Sequence, residues 1–92
     1  MYTLRFHSAA RRELRRLRRG ISREEYLELR RAIDMLAETP RPEGCRAVVN
    51  TPYLRIRVAG SYRLIYEGND QDRLVMVVRV ARRGEATYHA LP

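Results

Sequence analysis

Six consecutive residues, Tyr53-Leu54-Arg55-Ile56-Arg57-Val58, carry two guanidinium groups two positions apart. In an extended strand alternate residues share a face, so Tyr53, Arg55 and Arg57 point one way and Leu54, Ile56 and Val58 the other. The two charges then stand about 6.5 to 7 Å apart, which matches the spacing of adjacent phosphates along a nucleic-acid backbone. Taken alone, this stretch reads as an ordinary solvent face. Further on, Arg63 lies between Tyr62 and Tyr66, and Arg79 precedes Arg82-Arg83 and Tyr88. Basic side chains interleaved with aromatic ones allow a sheet to hold phosphates while stacking single-stranded bases.

The whole chain supports a polyanionic partner. Its net charge of +8 comes from 19 basic residues against 11 acidic ones, and every basic residue is arginine. A guanidinium stays charged in any protein environment and offers phosphate a planar, two-pronged donor. Replacement of lysine by arginine through codon bias or heat adaptation is the competing explanation, since charge alone speaks of non-specific binding.

Other classes are excluded by composition. The 45% hydrophobic and 33% charged shares fit a globular domain, and no window holds the ~18 apolar residues of a membrane helix. Arg5, His7, Arg11 and Arg12 interrupt the N-terminus before a signal peptide could form, which places the protein in the cytoplasm with no membrane partner. Cys45 is the only cysteine, expected as a packing residue, and no ligand spacing suggests a metal or a nucleotide cofactor. Ninety-two residues suffice for one domain, residues 1–92, with a small core.

The elements that must position the arginines follow from periodicity. Tyr2, Leu4 and Phe6 alternate with Thr3, Arg5 and His7, which predicts a half-buried strand with His7 on its outer face. Ser8 is the expected N-cap of a helix whose core stripe is Ala10, Leu14, Leu17 and Ile21, ended by Gly20. Arg11, Arg12, Arg15, Arg16, Arg18 and Arg19 occupy its other faces, either as an RNA-facing patch or as a solvated face balancing an acidic partner. Ser22-Arg23-Glu24-Glu25 forms a capping box for a second helix with the stripe Tyr26, Leu29, Ile33 and Leu36, stopped by Thr39-Pro40-Arg41-Pro42. So short a connection predicts an antiparallel helix hairpin. Four strands follow, near residues 45–49, 53–58, 62–67 and 74–80, separated by turn-forming residues and hence arranged as an antiparallel meander. The unbroken apolar run Leu74 to Val78 marks a central strand covered on both faces. The predicted architecture is α+β: an N-terminal strand, then a helix hairpin packed on a meander.

Read together, Pro40-Arg41-Pro42-Glu43-Gly44, Tyr53 to Val58, Gly60-Ser61-Tyr62-Arg63-Leu64-Ile65-Tyr66-Glu67, Val80-Ala81-Arg82-Arg83 and Tyr88 resemble the RelE/ParE toxin superfamily over essentially the whole chain. The resemblance to RelE-type members implies the RelE-like microbial RNase fold. It also implies a toxin of a type II toxin–antitoxin system, held inactive by an acidic antitoxin. The implied activity is metal-independent cleavage of mRNA, in association with the ribosome, by attack of the RNA 2′-hydroxyl on the adjacent phosphate. Arg55 and Arg57 fall where RelE carries basic residues, often lysine, and join Arg82 as RNA-binding residues. Arg63, Arg83 and Tyr88 fall at catalytic positions.

That reaction needs a proton acceptor, positive charge on the phosphate and support for the leaving oxygen. Arginine is effectively always protonated, so the lysine-free site lacks the usual candidate base. Tyr88 is the first alternative, its hydroxyl pKa of about 10 open to lowering by nearby guanidinium charge, although its ring can equally stack on a base. His89 titrates closer to neutrality, but in an extended tail adjacent residues face opposite ways, so only one of the two enters a given site. Glu67 and Glu85 serve either as bases or as ion-pair partners of arginine. Two other functions compete: a ParE-like inhibitor of DNA gyrase without nuclease activity, and an inactive RNA- or DNA-binding module.

Overall fold

The computed structural model describes residues 1–82, 84 and 91. Its elements run β1 (Thr3–Phe6), α1 (Ser8–Gly20), α2 (Arg23–Met35), β2 (Arg46–Ala47), β3 (Leu54–Val58), β4 (Tyr62–Asn69) and β5 (Leu74–Arg82). The sheet order is β1-β5-β4-β3-β2. Strands β2 to β5 form the expected antiparallel meander, and β1 adds to the far side of β5 in parallel, pairing Thr3 with Leu74 through Phe6 with Val77. The apolar run of β5 is thus a central strand.

Both helices lie on one face of this sheet. Their Ala10, Leu14, Leu17, Leu29, Ile33 and Leu36 meet Val58, Tyr62, Leu64, Tyr66, Val75, Val77 and Val80 in one core, with Tyr2, Leu4, Phe6 and Tyr26 packed at its margin. Among the described residues the opposite face carries a small cluster of Val48, Ile65 and Val78, flanked by Tyr53, Met76 and Leu91.

The helix ends depart in detail from expectation. His7, not Ser8, caps α1: its Nδ1 accepts the Ala9 N–H at 3.1 Å, so the ring placed on the outer strand face is turned to a structural use. Gly20 is the last helical residue, and Ile21 ends the helix by adopting an extended backbone at φ −121°. The Ser22 hydroxyl oxygen accepts the Glu25 N–H at 3.1 Å as a capping box requires. Glu25, however, uses its carboxylate on hydroxyls, accepting from Ser22 at 3.2 Å and from Tyr62 at 3.1 Å, and so ties the start of α2 to β4. Between β3 and β4, Ala59 and Gly60 take successive positive φ values of 55° and 71°, a strained step that glycine relieves at the second position only.

A register shift between Ile65 and Tyr66 sets which β5 residues face the helices. Ile65 pairs with Arg79 and Tyr66 with Val77, leaving Val78 as the extra residue of a bulge. Before it Val75 and Val77 belong to the main core; after it Val80 does. The parity of the strand is reversed.

Leu29 and Ile33 are fully buried against the sheet. Leu29→Ala or Ile33→Ala is expected to cost roughly 2 to 5 kcal/mol, a large share of the stability of a domain this small. Chemical denaturation checks this, and an unchanged midpoint for both variants contradicts it.

Candidate functional site

The face of the sheet away from the helices collects the arginines. Pairing of Arg46 with Arg55 and of Arg57 with Arg63 places these four side chains on that face, across three adjacent strands. Arg55 and Arg63 are diagonal neighbours, a relation that on antiparallel strands separates Cβ atoms by about 7 to 8 Å. Two of the predicted RNA-binding residues, Arg55 and Arg57, and one predicted catalytic residue, Arg63, therefore stand together.

Arg82 does not join them. It pairs with Tyr62, and therefore lies on the helical side, where it lines a cleft of about 840 Å³ with Ile21, Ser22, Glu25, Ser61 and Tyr62. The bulge at Val78 is the reason, since it turns Val80 and Arg82 toward the helices. Arg83, Tyr88, His89 and Glu85, which the sequence offers for phosphate stabilisation and proton transfer, lie outside the described residues.

The interleaved tyrosines are corrected by the structure. Tyr62 is 3% exposed and Tyr66 fully buried, both in the main core, so neither can stack on a base. The Tyr66 hydroxyl donates to the Pro40 carbonyl at 2.7 Å, and burial pushes its pKa up beyond the ordinary range. Tyr62 is also raised, by burial first and by its hydrogen bond to Glu25 second. Tyr53 alone of the strand tyrosines sits with the small cluster on the open face.

Arg79 also has a structural occupation. Its Nε donates to Glu13 Oε1 and Oε2 at 3.0 Å each, and its Nη2 to Oε2 at 2.8 Å. The same carboxylate accepts the Val80 N–H at 2.9 Å. β1 pairs with β5 only as far as Val77, among the described residues no strand continues along that edge, and Glu13 of α1 supplies an acceptor there. Nothing in the helical pattern around Glu13 marks it for this role, because an acidic residue on a basic helix looks solvated. Among the described residues the ion pairs are Arg30 with Asp34, Arg41 with Asp70 and Arg79 with Glu13, so Glu67 is not the ion-pair partner that its neighbours suggested.

At the opposite end of the sheet Asp70 holds Tyr2 and Arg41, accepting from the Tyr2 hydroxyl at 2.8 Å and from Arg41 at 3.0 Å. Those two hydrogen bonds lower the Asp70 pKa. Among the described residues no group of His, Cys, Asp and Glu could hold a metal, and no helix is long and apolar enough to cross a membrane.

The arginines of α1 make a second basic surface on the helical side. Between α1 and α2 a groove of about 250 Å³ has Phe6, Leu14 and Tyr26 in its lining with Arg11, Arg15, Arg18 and Arg30, and the Arg30 guanidinium lies 5.6 Å from the Phe6 ring centre.

An N-terminal strand and two helices packed on one face of a meander form the fold that this chain shares with solved RelE toxins. The profile described as ParE toxin of type II toxin-antitoxin system, parDE, matches residues 4–87, and the chain belongs to that family. Among solved structures it is similar to the toxin–antitoxin complex RelBE2 from Mycobacterium tuberculosis, at 25% identity over 89% of this chain and 98% of that one, with a TM-score of 0.71. The intact RelBE complex of E. coli matches at 24% identity over 92% of this chain and all of that one, with a TM-score of 0.73. An archaeal RelE-RelB complex from Pyrococcus horikoshii matches at 23% identity over 92% and 98%, also with a TM-score of 0.73. No curated protein matches the chain. The protein is thus a toxin of a type II toxin–antitoxin system with the RelE/ParE fold.

The Glu13–Arg79 pair is only 13% and 16% exposed at its side chains. Removing Glu13 takes the acceptor from the Val80 amide and a closely paired carboxylate from Arg79, so Glu13→Ala is expected to destabilise the fold by about 3 kcal/mol. Replacing both, as Glu13→Leu with Arg79→Met, is expected to recover the part of that loss owed to the broken ion pair, the Val80 amide still lacking its acceptor. Equal stability of the single variant and the parent in denaturant titration contradicts the role.

Proposed function

We propose that this toxin is a metal-independent endoribonuclease that lays single-stranded mRNA, presented by the ribosome, along the open face of the sheet. The observation that supports it is the register of Arg46, Arg55, Arg57 and Arg63 on a face that no described helix covers. Arg55 and Arg57 hold flanking phosphates at strand spacing. The 2′-oxygen attacks the adjacent phosphorus, the bond to the 5′-oxygen breaks, and that oxygen takes a proton from water, giving a 2′,3′-cyclic phosphate and a 5′-hydroxyl. Arg63 and Arg83 neutralise charge on the five-coordinate phosphate. Guanidinium groups supply no proton acceptor, so the 2′ proton goes to Tyr88, with His89 as the alternative. Arg82, across the sheet, is left out of the phosphate-binding set.

The family match favours a second reading, because it is to the ParE toxin profile. A ParE-like gyrase inhibitor needs no cleavage chemistry. Incubating the protein with mRNA and ribosomes, beside a gyrase supercoiling assay, separates the two: intact mRNA with inhibited gyrase assigns the second.

Arg63→Ala and Arg83→Ala are each expected to lower single-turnover cleavage on a saturating RNA–ribosome complex about a hundredfold, ~2.7 kcal/mol of barrier, with RNA binding largely retained. If the Tyr88 hydroxyl accepts the proton, Tyr88→Phe is nearly as slow as Tyr88→Ala; if the ring only stacks, the Phe variant stays active. Full activity in both Arg83→Ala and Tyr88→Ala removes the proposed site.

The partner is an acidic antitoxin. Support comes from the relatives solved as toxin–antitoxin complexes and from the arginine-rimmed groove between α1 and α2. Attraction between opposite charges steers such an association and is screened by ions. The toxin–antitoxin complex is therefore expected to weaken as salt rises. Tight binding indifferent to ionic strength, by titration calorimetry, points instead to an apolar interface.

A further inference from the structure

One exposed apolar feature on the basic face has no part in the core. Val49 is 81% exposed in the connection between β2 and β3, while its neighbour Val48 is buried in the small cluster of the open face. The connection is tightly built. Val48 N–H donates to the Tyr53 carbonyl at 3.0 Å, and the Val48 carbonyl accepts both the Thr51 N–H at 3.2 Å and the Thr51 hydroxyl at 2.8 Å. The Thr51 hydroxyl oxygen in turn accepts the Tyr53 N–H at 3.1 Å, and Asn50 takes the left-handed conformation at φ 61° that the reversal needs. An aliphatic side chain is thereby held in solvent by a pre-organised turn, at the cost of a strained asparagine.

Val49 does not stand alone. Ala47, Val48 and Val49 line a depression of about 450 Å³ together with Arg55 and Arg63. Apolar side chains beside two guanidinium groups suit a ligand that carries a flat apolar body and an anion a short, fixed distance apart. A nucleotide is such a ligand, and a single-stranded chain can turn its base out to be packed in this way.

We propose that this depression is a nucleobase subsite: the base of one nucleotide of single-stranded RNA packs on the exposed Val49 while its phosphate is held by Arg55, next to Arg63 at the reacting phosphate. The assignment rests on the RNA-binding reading above and adds to it a place where the base, and not only the backbone, is held. Base packing of this kind tolerates different bases, so it contributes affinity and register along the strand. An acidic peptide with an apolar side chain is the other occupant that the same walls could take, and the test is arranged to expose it.

The probe is a labelled 2′-O-methyl RNA octamer, which cannot be cleaved by 2′-oxygen attack, compared with the same backbone lacking bases. Fluorescence anisotropy measures both with the parent protein and with Val49→Ser. Because Val49 is exposed and outside the core, the substitution leaves the melting temperature unchanged. The parent binds the base-bearing strand more tightly than the abasic one; Val49→Ser loses three- to tenfold on the first and nothing on the second, with the same salt dependence. Val49→Phe, which widens the packing surface, tightens the base-bearing strand. Equal affinity of parent and Val49→Ser for the octamer overturns the subsite while leaving RNA binding standing. Binding of neither strand by the parent overturns the RNA reading and the subsite with it. If Val49→Ser weakens only the antitoxin complex, the depression belongs to the protein partner and the proposal fails.

Discussion

A single carboxylate connects the two layers of this protein at the place where the sheet would otherwise be unfinished. Strand β5 extends past the end of β1, and an exposed edge carries backbone donors that must find partners. Glu13 meets the Val80 amide at 2.9 Å and both donor atoms of Arg79, and in doing so locks α1 against the central strand. Glu25 makes a lighter attachment at the start of α2 through Tyr62. With both helices on one side, the described residues on the other side of the sheet are a small apolar cluster and the arginines of β2, β3 and β4. The hydrophobic core seats both helices on their side of the sheet, and Glu13 fastens α1 to the one strand that outruns its neighbour.

The surplus charge is thereby divided between two surfaces. On the helical side α1 exposes six arginines, two of them in its last turn where the helix dipole favours cations. Across the sheet, Arg46, Arg55, Arg57 and Arg63 are placed by strand register and not by helical spacing. A protein with +8 on 92 residues attracts polyanions from any direction. Order arises from geometry: an apolar-lined groove between helices suits a protein segment, whereas a rail of charges at strand spacing suits a phosphate backbone.

Choosing arginine throughout has a consequence for chemistry. Such a face can stabilise phosphate charge strongly, yet none of its guanidinium groups can accept a proton. In the proposed endoribonuclease reading, proton transfer then falls to a residue of another type. The two deeply placed tyrosines are unsuited to that second task, because burial raises both of them and their hydroxyls are engaged with Pro40 and Glu25.

Much of this was readable from the chain alone. Alternation located β3 and assigned Leu54, Ile56 and Val58 inward with Arg55 and Arg57 outward, and the apolar run of β5 marked a central strand. The Ser22 cap and the proline segment bounded α2 because caps and proline act on the backbone within a few residues. Contacts distant in sequence were not readable. Period-two patterns state that a strand has two faces without saying which is covered, so Tyr62 and Tyr66 could be taken for a stacking platform although they fill the core. The bulge at Val78 reverses parity along β5 and sends Arg82 to the helical side, and no local residue pattern announces it. Glu13 and Arg79 are 66 positions apart. Local chemistry in the sequence determined the elements and their amphipathic faces; packing between remote segments decided which arginines share a surface, since only the folded sheet brings their strands into register.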